Sequence, residues 1–311
     1  MPELPEVEVV RAGLAPAVTG ARISAVDVRD PRALTRHPGL PADFAATLAG
    51  RTIVAPVRRG KFLWMPLDGA DERALVGHLG MSGQLLLREP AAPLERHERI
   101  RIFLEHPVHG ELAVVFADQR TFGSLAVDTL VPTRDGAPGG YGDPRPATPL
   151  MVAHIARDAL DPAFDDGRFR AALARKGSAI KRVLLDQTLV SGVGNIYADE
   201  SLWAARIHPE TPARLLPTPA VNRLLAELRG VLRKALAEGG TSFDAQYVNV
   251  NGQAGYFAHS LEAYGREGQP CSRCGRPIVR VSFMNRSSHL CPHCQRMRVA
   301  PPGRIPGHPV P

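Results

Sequence analysis

The sequence predicts an α+β fold in two parts. A β-sandwich follows one N-terminal helix, and a helical domain then closes on a β-hairpin module. Three observations carry this reading. Between residues 22 and 130, short apolar runs alternate with period two and are punctuated by Gly and Pro. Beyond residue 150 the apolar period becomes helical. All four cysteines of the chain lie between residues 271 and 294.

The elements follow in order. Val7, Val10, Leu14 and Val18 form one stripe, so residues 5 to about 18 read as an amphipathic helix stopped by Gly20. Strand-like runs come next, at 23–28, 51–54, 61–65, 74–78, 84–87, 99–104, 112–116 and 124–127. That many short strands fits a β-sandwich or a flattened barrel. Residues 132–149 are rich in Pro and Gly and read as a hinge or loose linker. Helices are expected at about 150–160, 165–175, 178–186, 195–206 and 218–238. The expected domains are therefore 1–131 (sandwich), 132–149 (linker), 150–260 (helical), 261–296 (metal hairpin) and a disordered tail at 297–311.

At 311 residues the chain has room for two cores. No apolar run reaches the roughly 18 residues of a membrane span, and no apolar h-region follows the acidic opening. Membrane association is not expected, and a cytoplasmic, nucleoid-associated location follows as the default. The formal net charge of +7 fits either a polyanionic partner or plain solubility.

The cysteines occur as Cys271-x-x-Cys274 and Cys291-x-x-Cys294, with sixteen residues between the pairs. Four thiolates at this spacing complete a closed tetrahedral site, which implies one structural Zn2+. Residues 277–283 and 287–290 would form the hairpin strands, with Met284, Asn285 and Arg286 at the turn. Arg286 there can grip a phosphate, or simply face solvent.

Residues 186–202 have the form helix, Gly-x-Gly turn, helix, with Asn195 at the second helix's entry. Asn195 serves as a plain N-cap or faces a phosphate brought to the helix N-terminus. Lys181 and Arg182 on the preceding helix add positive charge. The opening Met1-Pro2-Glu3 also supports two readings. Removal of Met1 would leave a secondary amine with a pKa near ~8, able to form a cationic iminium, with Glu3 beside it as acid or base. Alternatively, Pro2 or Pro5 occupies a first helical turn, and the acids complement its dipole.

Five separated motifs together resemble the formamidopyrimidine-DNA glycosylase family. They are the opening 2–8, Arg58-Arg59-Gly60-Lys61, the run 78–83, the run 192–200 and the cysteine hairpin. The resemblance covers residues 2–296. It implies a helix-two-turns-helix in the helical domain and a bifunctional glycosylase and abasic-site lyase that removes oxidised purines. The implied partner is double-stranded DNA holding oxidised bases or abasic sites, met by a monomer.

By the same resemblance, Pro2 is the nucleophile, Glu3 the acid and Lys61 a phosphate ligand that stabilises developing charge. Met81, Arg120 and Phe122 fill the gap left by an extruded base; His78, Asn195 and Arg286 clamp phosphates. Glu6 and Glu200 are supporting residues, and residues 241–253 close over the extruded base. The chain departs from the family pattern at Gln119 and Thr121, which is expected to loosen the gap-filling loop. It also departs at Arg99, and at Ser288-His289-Leu290 before Cys291.

Overall fold

The computed structural model describes residues 2–241, 250 and 256–297. The elements in chain order are α1 (Leu4–Val18), β1 (Arg22–Val28), α2 (Pro41–Leu48), β2 (Val57–Arg59), β3 (Phe62–Pro66), β4 (Arg73–His78) and β5 (Gly83–Arg88). There follow β6 (Glu98–His106), β7 (Gly110–Asp118), β8 (Ser124–Pro132), β9 (Ala147–Pro149), α3 (Asp166–Arg175) and α4 (Ile180–Leu184). The last are α5 (Asn195–Ala204), α6 (Thr218–Ala237), β10 (Val279–Phe283) and β11 (Arg286–Leu290).

Two sheets, ordered β1-β6-β7-β5 and β2-β3-β4-β8-β9, make the expected sandwich. Ile23, Leu63, Leu75, Ile102, Phe116 and Val127 share its core. Period two sorts the side chains between two faces; the outer face of the second sheet carries its own apolar cluster, with Trp64, Ala74 and Val76 packed against Val152 and Ile155. The β2–β3 hairpin pairs Arg59 with Phe62, so Gly60 and Lys61 are its two-residue turn. Gly60 has a positive φ of 56°, and a Cβ on it would come within 2.7 Å of Ser191. Only glycine lets this turn bend and press against the helical domain.

The helical core is built from α3 to α6, with Leu184, Tyr197, Leu202, Leu224, Leu228 and Leu232 in it. The α1 stripe behaves as expected: Val7, Val10, Leu14 and Val18 are buried in the sandwich core. Leu4 does not join them. It belongs to the helical core instead. The first turn of α1 therefore lies between the two domains.

The structure differs from expectation in four places. Residues 41–48, read within the period-two region, form α2, which buries Phe44 and Leu48. Residues 51–54 make only isolated bridges at Thr52 and Ile53. Residues 150–160 hold a single 3-10 turn, Leu150–Val152, and no longer helix. There the Asp158 and Asp161 side chains accept from nearby backbone N–H groups of Leu160 and Ala163, an alternative to helix formation.

The segment 132–149 is pinned rather than loose. β9 pairs with β8, and Arg58 and Tyr141 exchange two backbone hydrogen bonds of 2.9 and 2.8 Å. Its glycines serve close approach: a Cβ on Gly140 would lie 2.4 Å from the Arg58 carbonyl oxygen. The expected lesion loop at 241–253 lies outside the described residues except for Thr241 and Val250, and so does most of the tail.

Candidate active site at the domain junction

The junction is organised by one long-range cap. Helix α5 begins at Gly194, which has no side chain to satisfy the free N–H groups of the first turn. Glu3 supplies the missing acceptor. Its carboxylate accepts from the N–H groups of Gly194 (2.5 Å), Ile196 (2.9 Å) and Tyr197 (3.4 Å). The backbone N–H of Leu4 donates to the Gly192 carbonyl at 3.0 Å. A Cβ on Gly194 would lie 2.4 Å from the Glu3 carboxyl carbon, and one on Gly192 would lie 2.7 Å from Leu4. The Gly-x-Gly spacing thus admits residues 3 and 4 of the same chain.

Pro2 and Glu3 are both buried. Burial pushes the Glu3 carboxyl up to about 7; Lys61 and the backbone donors oppose this, and the neighbouring Glu6 reinforces it. Glu3 is thus poised to hold or release a proton near neutrality. Glu6 is enclosed too. It accepts from the Glu3 N–H (2.8 Å), the Tyr197 hydroxyl (2.6 Å), and the N–H (2.8 Å) and hydroxyl (2.9 Å) of Thr241. Tyr197 carried no role in the sequence reading. Its signal is that Ile196 through Trp203 are all buried, acids included, so α5 has no solvent face there.

Lys61, at the hairpin tip, loses basicity chiefly through burial, with Glu3 opposing and Arg286 adding to the loss. It lines an open cleft of about 750 Å³ together with His78, Arg182, Asn285 and Arg286. His78 is held at a pKa of about 4 by burial, with Arg36 and Lys61 contributing. Its Nδ1 accepts from the Gly80 N–H at 3.1 Å, so the neutral ring carries its proton on Nε2. Pro2, Glu3, Glu6, Lys61, His78 and Arg286 are therefore brought together at one junction.

Met81 is 42% exposed and Phe122 59% exposed, and Arg120 is exposed beside them. Read without the family, the two apolar residues would have been core, and they are not. Their loops are fixed from below. The buried Asp118 carboxylate accepts from the Ser82 hydroxyl (2.5 Å) and the N–H groups of Arg120 (3.1 Å) and Gly123 (2.7 Å). Thr121 adopts a left-handed φ of 56°, unfavourable for a β-branched residue. The departure at Thr121 adds backbone strain to a loop that Asp118 holds in place.

Three residues depart from their expected places. Asn195 is not the cap; its side-chain amide donates to the Ser287 carbonyl at 3.1 Å and ties the hairpin to α5. Lys181 adds no surface charge. It is fully buried and pairs with Asp199 at 2.7 Å while donating to the carbonyl of Ser287 and the hydroxyl of Ser288, both at 2.9 Å. Glu200 lies away from the cleft and is buried, not on a helix surface. It accepts from the N–H groups of Glu262, Ala263 and Tyr264 at 2.7 to 2.9 Å and so anchors the chain entering the hairpin module.

The four cysteine sulfurs lie within 4.8 Å of one another. Thiolates around tetrahedral zinc, at Zn–S of ~2.3 Å, stand about 3.8 Å apart, so the cluster fits one structural zinc. His289 is not a ligand: it contacts Asp199. Arg273 donates to the carbonyls of Trp203 and Ala204 at the end of α5. The zinc module is thus docked on the helix whose other end receives Glu3.

Residues 1–125 match the formamidopyrimidine-DNA glycosylase N-terminal domain, 155–246 the H2TH domain of the same enzymes, and 268–296 a zinc finger found in FPG and IleRS. The chain belongs to the formamidopyrimidine-DNA glycosylase family. The formamidopyrimidine-DNA glycosylase of Leifsonia xyli subsp. xyli is 66% identical over 96% of this chain and the whole of the relative. That of Thermobifida fusca is 54% identical over 95% and 97% of the two chains. The crystal structure of Lactococcus lactis Fpg with DNA containing an abasic site superposes with a TM-score of 0.78 at 30% identity, covering 94% of this chain and 99% of the other. A Lactococcus lactis Fpg mutant with Fapy-dG DNA gives 0.79 at 31%, covering 95% of this chain and 100% of the other. The expected fold, the family's DNA glycosylase activity in base excision repair and the single structural zinc are all borne out. Among the described residues, no helix is long and apolar enough to cross a membrane.

Proposed function

We propose that the chain removes oxidised purines, 8-oxoguanine and formamidopyrimidines, from duplex DNA and then cuts the strand as an abasic-site lyase. The observation that carries this reading is a carboxyl group with a pKa of about 7, buried beside Pro2 and facing Lys61. A damaged base must leave the stack before its glycosidic carbon can be reached. With Met1 removed, the Pro2 nitrogen attacks C1′ of the extruded nucleoside. Glu3 gives its proton to O4′ as the C1′–O4′ bond opens, and the base then leaves from C1′. The C1′ iminium acidifies the C2′ proton; loss of that proton expels the 3′ phosphate, and a second elimination expels the 5′ phosphate. Lys61 holds the lesion phosphate.

The exposed Met81 and Phe122 fill the vacated stack, and Arg120 reads the orphaned cytosine. His78 Nε2–H, Arg286 and Asn195 clamp phosphates around the cleft. Glu6 supports Glu3. One protein molecule acts on one lesion.

Borohydride treatment with a duplex carrying one 8-oxoguanine should trap a covalent adduct at Pro2. No adduct, or one at another residue, would overturn the mechanism. The rate needs Glu3 protonated and Pro2 unprotonated. Single-turnover excision should therefore be bell-shaped in pH, with its maximum between about 7 and ~8. A rate still climbing at pH 9 would remove Glu3 as the acid.

A further inference from the structure

The Glu6 carboxylate receives four hydrogen bonds from three separate parts of the chain. Three of the donors converge on Oε1 and one reaches Oε2, so the chain itself solvates this carboxylate as an acceptor. The shortest of the four bonds, 2.6 Å, comes from Tyr197. That hydroxyl is fully buried on α5, one turn beyond Gly194, and the same residue's backbone N–H donates to Glu3. The ring is fixed against Phe257, with centroids 5.6 Å apart. Tyr197 therefore touches both carboxylates, one through its hydroxyl and one through its N–H. Its chemistry is that of a donor: beside Glu6, and buried, its own hydroxyl is held well above its ordinary pKa.

We propose that Tyr197 is a positioning residue that keeps the single proton of the Glu3–Glu6 pair on Glu3. This rests on Glu3 being the acid, as proposed above. The physical basis is that of two neighbouring carboxyls with unlike surroundings: the better-solvated partner stays charged and the other retains the proton. Tyr197 and Thr241 solvate Glu6 in place of water. Glu3, by contrast, is held among the described residues by backbone N–H groups, with Lys61 acting on it as a cation. Other titratable groups facing Glu3 are Lys181 of α4, already paired with Asp199, and Tyr264 ahead of the zinc module. Removing the Tyr197 hydroxyl would leave Glu6 short of a donor and let it compete for the proton. The pair would then titrate differently as a unit.

The experiment uses full-length Tyr197→Phe and Glu6→Gln beside the unaltered enzyme. Single-turnover excision of 8-oxoguanine is followed from pH 5.5 to 9, and borohydride trapping is measured on a duplex with a preformed abasic site. Because the acid titrates below the amine, the rising limb of excision reports the carboxyl pair and the falling limb the amine. Loss of one hydrogen bond to charged Glu6 lets Glu6 take the proton, so Tyr197→Phe should lower excision about tenfold at pH ~6.5, the deficit fading above pH ~8. Glu6→Gln removes the neighbouring negative charge and should instead move the rising limb toward acid. In Tyr197→Phe, trapping on the ring-opened abasic site should fall much less than excision, because that step needs the amine more than the acid.

A Tyr197→Phe deficit that does not shrink as the pH rises would overturn the proposal, as would excision and trapping falling equally at every pH. Should Tyr197→Phe lose its thermal unfolding transition, Glu6→Gln decides alone, and a rising limb that stays in place there would overturn the proposal. Absence of any adduct with the unaltered enzyme would instead refute the proposed mechanism, a result separable from either pH pattern.

Discussion

The two sides of the domain junction use their cations in opposite ways, and both draw them from one short run. Arg58 turns to the back. It pairs with Glu8 and Asp158, both at 2.8 Å, and beside it Arg157 pairs with Asp135 and Asp161, both at 2.7 Å. These groups join α1, β2, the segment 132–149 and the entry to the helical domain, around a cavity of about 500 Å³. Lys61, three residues later, turns to the front. Among the described residues, Lys61, Arg182 and Arg286 make no ion pair, yet all line the cleft. A cation that is paired and buried fixes the geometry of the domains. One left without a carboxylate is available to an incoming anion.

Substitutions on each side should separate these uses. The largest effect on stability is expected at Arg58→Met, which leaves the buried Asp158 without its cation, while Glu8 keeps Arg11. Such a loss costs ~3–5 kcal/mol, read as a lower midpoint in urea unfolding. An unchanged midpoint would mean that the back cluster holds nothing together.

Lys61→Met should invert that pattern. Excision should slow by roughly 10²–10³-fold, the scale of losing one charge-stabilising donor. Stability should not fall. The pKa of Lys61 is lowered in the folded protein, so the charged form is favoured by unfolding, and removing it relieves a cost at neutral pH. A clear drop in melting temperature would show that Lys61 belongs with the structural cations.

The smallest effect is expected from Arg286→Ala on binding. The slope of log affinity against log salt should become shallower by about one, because one phosphate is no longer neutralised. A slope equal to that of the parent would take Arg286 out of the DNA interface.

Much of this was legible in the sequence because it depends on local pattern. Period-two strands, the α1 stripe and paired Cys-x-x-Cys knuckles are each written in adjacent residues. The back of the junction was not, because its partners are far apart in the chain: Arg58 and Asp158 are separated by 100 residues. The same holds for Lys181, whose burial depends on Asp199 and on the hairpin beyond. For Met81 and Phe122, only the resemblance pointed to an exposed place. Apolar residues are usually core, and only an Asp118-braced loop holds these two out in solvent. Glu200 and Asn195 were found as residues of the correct helix entry. Their contacts with the hairpin module and the chain entering it follow from tertiary docking, which periodicity does not encode.

The cap formed by Glu3 on α5 spans 191 residues of chain. During synthesis, the amino terminus leaves the ribosome first, yet its seat from Gly192 to Tyr197 is translated long after it. At about 5–20 residues per second, that seat follows some 10–40 s later. A chain that stops early therefore carries an undocked terminus with no partner to bury its carboxyl group. A chain that stops before Gly194 lacks every N–H group that seats the Glu3 carboxylate on α5.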